Sequence, residues 1–211
     1  MAKLAVFDLD GTLVDSVPDI HAALDRLMVI ENKPGFSRGE VVPMIGDGIR
    51  VLVTRACEAR GVTPTEEIQD RFSADYAAHA SDLTIPFAGI PEALDALAAR
   101  GWTFAVCTNK PEAPARSLLT DLGIADRFAA ITGGDSLPVR KPDPAHLLGC
   151  IAQAGGTPAD AVMIGDHRND MSAAKGAGVK AIFCQWGYGQ DIMADGAPLA
   201  STPLALLDYL D

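Results

Sequence analysis

Four short apolar runs punctuate the chain: Leu4-Ala5-Val6-Phe7, Phe104-Ala105-Val106-Cys107, Ala161-Val162-Met163-Ile164 and Ala181-Ile182-Phe183-Cys184. Each is bounded by polar or Gly-rich residues, the pattern of strands buried on both faces. Helix-period segments lie between them, over 111–122 before Gly123, 144–154 before Gly155-Gly156, and 169–177 before Gly178. Each ends in the glycine that commonly closes a helix. A weaker run, Ala129-Ala130-Ile131-Thr132, fits a fifth strand between the first two of these helices. Strand alternating with helix predicts an α/β fold with a parallel, doubly wound sheet.

One long stretch breaks that rhythm. From Asp15 to Thr84 the period is helical, with one stripe at Val17, Ile20, Leu24, Leu27 and Met28 and another at Ile49, Leu52, Val53 and Ala56. Thr63-Pro64-Thr65-Glu66 reads as a capping box that opens a third helix carrying Ile68, Phe72 and Tyr76. The expected organisation is an α/β core of residues 1–14 and 85–211, interrupted after its first strand by an all-helical unit of residues 15–84. An insert of that length is about the smallest that holds its own core.

Charge narrows the function classes. Among 211 residues, 17 Lys and Arg face 28 Asp and Glu, a formal net charge of -11. Such a surface repels polyphosphate at long range, so nucleic acid and anionic membrane are not expected partners. An anionic substrate needs a local positive site. No run approaches the roughly 18 apolar residues of a membrane span, and Asp8 and Asp10 interrupt the first apolar run, so a cytoplasmic location is expected. Four cysteines without close spacing read as core thiols.

The polar residues at the strand ends carry the chemistry. The first strand runs into Asp8-Leu9-Asp10-Gly11-Thr12, two carboxylates sent to one side by strand alternation. Thr108-Asn109 follow the second run, Gly165-Asp166 and Asp170 follow the third, and Lys141 precedes the helix that begins near Pro144. In open α/β sheets the ligand crevice lies outside the carboxyl ends of the strands, so these clusters converge. Three carboxylates, Asp8, Asp10 and Asp166, suit a hard ion such as Mg²⁺. One of them can then act as a nucleophile on a phosphoryl group, with Lys141, Thr108 and Asn109 answering its charge.

In that order, Asp8-x-Asp10-Gly11-Thr12, Thr108, Lys141 and Gly165-Asp166-x-x-x-Asp170 resemble the four motifs of the haloacid dehalogenase superfamily of phosphohydrolases. The resemblance covers the whole chain and implies a Rossmann-like core with a helical cap. It further implies that Asp8 becomes an aspartyl phosphate and that Asp10 protonates the leaving oxygen and then activates water. It makes Asp8, Asp166 and the Asp10 main-chain carbonyl the Mg²⁺ ligands, and Asp170 a support for the metal waters or Lys141. The dehalogenase branch lacks the second aspartate, so Asp10 points to phosphate esters. Within the cap, Ile45-Gly46-Asp47-Gly48-Ile49-Arg50 resembles the cap loop of bacterial phosphoglycolate phosphatases, as do Thr108-Asn109-Lys110 and Trp186-Gly187-Tyr188-Gly189 elsewhere.

The expected substrate is therefore a small phosphorylated metabolite, 2-phosphoglycolate first, acted on by a monomer or homodimer. A sugar phosphate or pyrophosphate substrate, a sugar phosphomutase, or a non-catalytic binding module remain alternatives. Gly11, Thr12, Asn109, Gly46, Asp47, Gly48 and Arg50 are the candidate substrate contacts. For the cap loop the alternative is a plain turn with Asp47 as the N-cap of the next helix, and for Arg50 a solvated helix face. His167, where phosphoglycolate phosphatases more often carry a small residue, either caps a helix or tunes the site.

Overall fold

The computed structural model describes residues 3–211. In chain order, β1 (Lys3–Phe7) turns into the two-residue β2 (Val14–Asp15) and then into four helices, α1 (Val17–Ile30), α2 (Arg38–Val41), α3 (Ile49–Ala59) and α4 (Glu66–His79). The chain returns through β3 (Ile85–Pro86) and α5 (Ile90–Ala99). It then alternates through β4 (Trp102–Cys107), α6 (Glu112–Asp121), β5 (Phe128–Thr132), α7 (Pro144–Gln153), β6 (Ala161–Gly165), α8 (Arg168–Ala177), β7 (Lys180–Cys184) and β8 (Leu199–Ala200).

The main sheet has the order β5-β4-β1-β6-β7-β8 with every pairing parallel. All five strands expected from the apolar runs are present, and both faces are buried. Ala5 and Phe7 join Phe104, Val106 and Ile164 beneath α5 and α6. Leu4 and Val6 join Ala105, Cys107 and Met163 beneath α7 and α8. Successive connections leave β1 toward opposite sides of the sheet, which puts the switch in strand order beside β1 and β6. The four cysteines are buried and unpaired. Among the described residues no helix is long and apolar enough to cross a membrane.

The helices between β2 and β3 bury a separate apolar cluster that includes Leu24, Met28, Val53, Phe72 and Tyr76. Two features there differ from the sequence reading. The strands β2 and β3 form an antiparallel ribbon, Val14 opposite Pro86 and Asp15 opposite Ile85, where the chain leaves and rejoins the α/β layers. Two residues are too few to show a period. The capping box at Thr63 does not form: Thr65 caps α4 by accepting from Ile68 N at 3.3 Å. Thr63 precedes a proline, which disfavours helical backbone at that residue, so the helix starts beyond it.

The ribbon is braced from both sides. The Asp19 carboxylate in α1 accepts from Leu83 N at 3.0 Å and from Thr84 N and Oγ1 at 2.8 and 2.6 Å. Ser16 gives α1 no side-chain cap. Instead the Tyr188 hydroxyl, from the loop after β7, accepts from Ser16 N at 2.7 Å and Val17 N at 3.2 Å.

Leu24 is fully buried in the helical cluster. Leu24→Ala is expected to cost about 2–5 kcal/mol of stability, the usual range for a methyl-deep core truncation. Urea unfolding monitored by circular dichroism checks this, and a loss below about 1 kcal/mol would contradict a close-packed helical unit.

Candidate active site

Asp8, Thr108 and Asp166 directly follow β1, β4 and β6, so three parallel strands deliver them to one edge of the sheet. Beyond β1 the chain folds into a tight turn, with Leu13 N donating to Leu9 O at 2.9 Å and Gly11 N to Val14 O at 3.0 Å. Gly11 has φ +88°, and a Cβ there would stand 2.4 Å from Asp166 Oδ2. Glycine is what lets this turn lie against the acid that follows β6.

Carboxylate oxygens of Asp8, Asp166 and Asp170 lie within 4.8 Å of one another, and all three residues are buried. The Lys141 ammonium sits among them, 2.9 Å from Asp8 Oδ1 and 2.6 Å from Asp170 Oδ1. It also donates to Cys107 O at 2.5 Å. Burial pushes the Asp8 carboxyl up to about 6, against the pull of Lys141 and with the push of Asp170. Burial, then the Asp8 and Asp170 charges, push Asp166 up to about 7. Burial alone would lower Lys141, but Asp170 and Asp8 outweigh it and hold the ammonium above the ordinary lysine range.

Three carboxylates against one ammonium leave the cluster negative when all are ionised. An all-oxygen donor set with excess negative charge fits a hard divalent cation such as Mg²⁺. The acids are held for it: Leu9 N donates to Asp8 Oδ1 at 2.7 Å, and His167 N donates to Asp170 Oδ2 at 3.0 Å. Asp166 accepts from Thr12 Oγ1 and from Tyr188 N, both at 2.8 Å.

The other candidate residues separate into two groups. Asp8, Asp10, Thr108, Asn109, Gly46 and Gly48 line one crevice cavity of about 50 Å³, walled on the far side by Ile20, Ile45, Ile49, Leu52 and Tyr76 of the helical unit. Asn109 Nδ2 donates to Gly46 O at 2.9 Å and to Lys141 O at 3.0 Å, fastening the 45–48 loop to the core. A Cβ on Gly46 would stand 2.8 Å from the His167 ring. The loop closes because it carries no side chain there.

Thr12, Asp47 and Arg50 are not brought to the crevice. Thr12 is fully buried, with its hydroxyl donating to Asp166. Asp47 accepts from Asn169 Nδ2 at 2.7 Å and pairs with Arg55 at 2.5 Å. The N-cap of α3 is Gly48, without a side-chain cap, so Asp47 does not cap that helix. Arg50 is exposed and donates to Gln69 Oε1 at 3.0 Å, because its position on α3 points across to α4 rather than down to the sheet. His167 caps α8, its ring accepting from Asn169 N.

Neither Lys110 nor Tyr76 is among the candidate site residues of the sequence analysis. Lys110, 6% exposed, places Nζ 3.2 Å from Asp10 Oδ1 and 2.5 Å from the Tyr76 hydroxyl. Burial opposes its charge, but Asp10 and Tyr76 keep it protonated above the usual lysine range. The signal for Lys110 was its place directly after Thr108-Asn109. Tyr76 gave none, since it falls in the apolar stripe of α4.

The chain matches the family model described as haloacid dehalogenase-like hydrolase over residues 5–184. It is 46% identical over 187 residues to a phosphoglycolate phosphatase of Cereibacter sphaeroides, covering 87% of this chain and 85% of that one. To a phosphoglycolate phosphatase of Rhodospirillum rubrum it is 39% identical over 208 residues, covering 95% and 86%. Among solved structures it superposes with a TM-score of 0.89 and 32% identity on a predicted phosphoglycolate phosphatase of Haemophilus somnus, over 99% of this chain and 98% of that one.

The raised carboxyls set a pH dependence. A carboxyl whose folded pKa lies above its unfolded value binds its proton more tightly in the native state, so its contribution is present at low pH and lost as pH rises through the folded pKa. For Asp8 and Asp166 that loss runs from their ordinary value of 3.8 up to about 6 and about 7. With chelator present, the thermal midpoint should therefore fall between pH 5 and pH 7.5, and Asp166→Asn should flatten the fall. Added Mg²⁺ should raise the midpoint more at pH 7.5 than at pH 5. A chelated protein no less stable at pH 7.5, in which Asp166→Asn changes nothing, would contradict the charge balance described.

Proposed function

This chain belongs to the haloacid dehalogenase-like hydrolases, and from that premise we propose that it is a Mg²⁺-dependent phosphomonoesterase that hydrolyses 2-phosphoglycolate through an aspartyl phosphate. The observation that carries the reading is the Asp8 carboxylate, held 2.9 Å from the Lys141 ammonium in a crevice roofed by the helical unit. A carboxylate facing a phosphate dianion needs its charge answered, and Lys141 is placed to do so. Asp8, Asp166 and the Asp10 main-chain carbonyl would hold Mg²⁺, which when bound neutralises charge on the transferring phosphoryl group.

In the first half-reaction an Asp8 oxygen bonds to phosphorus, the ester P–O bond breaks, and Asp10 gives its proton to the leaving alkoxide. In the second, water bonds to the same phosphorus while Asp10 takes its proton, and the bond to Asp8 breaks, restoring the carboxylate and releasing phosphate. Asp170 holds Lys141 in place, and Thr108, at the end of β4, offers its hydroxyl to a phosphoryl oxygen. Residues 1–14 and 85–211 act as the catalytic core and 15–84 as its cap, which excludes water and selects the leaving group.

A crevice cavity of about 50 Å³, closed on its far side by Ile20, Ile45, Ile49 and Leu52, supports a small substrate. The relatives named phosphoglycolate phosphatase support the same choice. Such a substrate belongs to the cytoplasm, where small phosphorylated acids arise.

The test is phosphate release from a panel of phosphorylated metabolites with Mg²⁺ and with chelator. A chelator-sensitive kcat/KM highest for 2-phosphoglycolate is expected, and a higher value for a sugar phosphate would overturn the substrate. Asp8→Asn should lower kcat by at least about 10⁴-fold, the scale seen when a covalent nucleophile is removed, while the protein stays folded. Asp10→Asn should depress alkyl phosphates far more than aryl phosphates, whose leaving groups depart without a proton. Equal losses on both would contradict the acid role.

A further inference from the structure

Arg50, a candidate substrate contact from the sequence, is spent on Gln69 at the surface, and the crevice offers another cation in its place. Among the described residues lining the crevice cavity, Lys110 is the only cation. The other polar groups there are unsuited to a second anion. The Asp8 carboxylate would repel it, and Asn109 has its amide nitrogen committed to Gly46 O and Lys141 O, leaving Oδ1, an acceptor without a partner. The far wall is aliphatic apart from Tyr76.

We propose that Lys110 Nζ and the Tyr76 hydroxyl form the subsite that receives the substrate's carboxylate, and that they select short phosphorylated acids over phosphate esters of neutral alcohols. This rests on the 2-phosphoglycolate reading above and adds the group that enforces it. Lys110 comes from the core, one residue beyond Asn109, and Tyr76 from α4 of the helical unit. The two meet at 2.5 Å, so the subsite exists only when the helical unit covers the crevice. An ammonium this well buried has donors to spare: of its three N–H groups, Asp10 takes one and Tyr76 a second. A carboxylate entering the cavity supplies the third acceptor, and the Tyr76 proton is free to turn toward it.

The experiment compares 2-phosphoglycolate with ethyl phosphate. Both leave as alkyl alkoxides and need Asp10 equally, and only one carries a carboxylate. Damage passed through Asp10 or through the fold therefore lowers both, and the ratio of their kcat/KM values isolates the subsite. Wild-type protein should favour 2-phosphoglycolate, and Lys110→Met should lower that ratio by about 50-fold, the scale of one lost hydrogen bond to a charged group. Lys110→Arg should restore part of it. Tyr76→Phe removes one oxygen and keeps the ring stacked on Phe72, so it remains readable if Lys110→Met does not fold. It should lower the ratio by about 10-fold, the low end for a lost hydrogen bond to a charged group.

A wild-type preference that survives intact in both Lys110→Met and Tyr76→Phe, or in Tyr76→Phe where Lys110→Met does not fold, would overturn the subsite and leave the substrate reading standing. A wild-type protein with no preference between the two esters would overturn both.

Discussion

Everything in this molecule is arranged around one imbalance: buried acids gathered on a single lysine. Lys141 stands within 2.9 Å of both Asp8 and Asp170, and Asp166 crowds the same space. Buried like charges cost several kcal/mol each unless something answers them. On the proposed function, a cation and a phosphate group together would answer them. The stability given up to gather these charges would be returned when they are answered.

The parallel sheet is the means of holding that imbalance. Strands running the same way bring their carboxyl ends, and so Asp8, Thr108 and Asp166, to one edge. The helical unit then covers that edge through contacts that depend on missing side chains, at Gly46 beneath His167 and Gly48 beside Asn109. Its two-strand ribbon and the Tyr188 and Asp19 braces let cover and core meet at a defined place. In the proposed subsite, cover and substrate choice are linked, because Tyr76 reaches Lys110 only across this junction.

Much of this was legible in the sequence, for a physical reason. A strand buried on both faces must be apolar throughout, so Leu4–Phe7 and its counterparts announce themselves. Asp8, Asp10 and Asp166 are legible by type and position at strand ends, and Lys141 by its place in the order of the four motifs. Contacts between the helical unit and the core were not legible. Helical spacing placed Arg50 near a glycine loop, where its charge suggested a substrate contact, but spacing does not say that the side chain turns to Gln69. Tyr76 lies in register with Ile68 and Phe72 and reads as core, and most of its ring is core. Only its hydroxyl, at the end of that ring, belongs to the crevice. Thr12 and Asp47 show the converse: polar residues beside the motif glycines that serve to position other side chains.

The central claim is that Asp8, balanced by Lys141, attacks phosphorus. The most direct measurement is acid quenching of a single turnover with 2-phosphoglycolate carrying labelled phosphate, followed by peptide mapping of the trapped protein. Label on one peptide, at Asp8, with hydroxylamine releasing it as an acyl phosphate, is the predicted result. Phosphate released at full rate with no protein-bound label at any quench time, or label on a residue other than Asp8, would contradict the account.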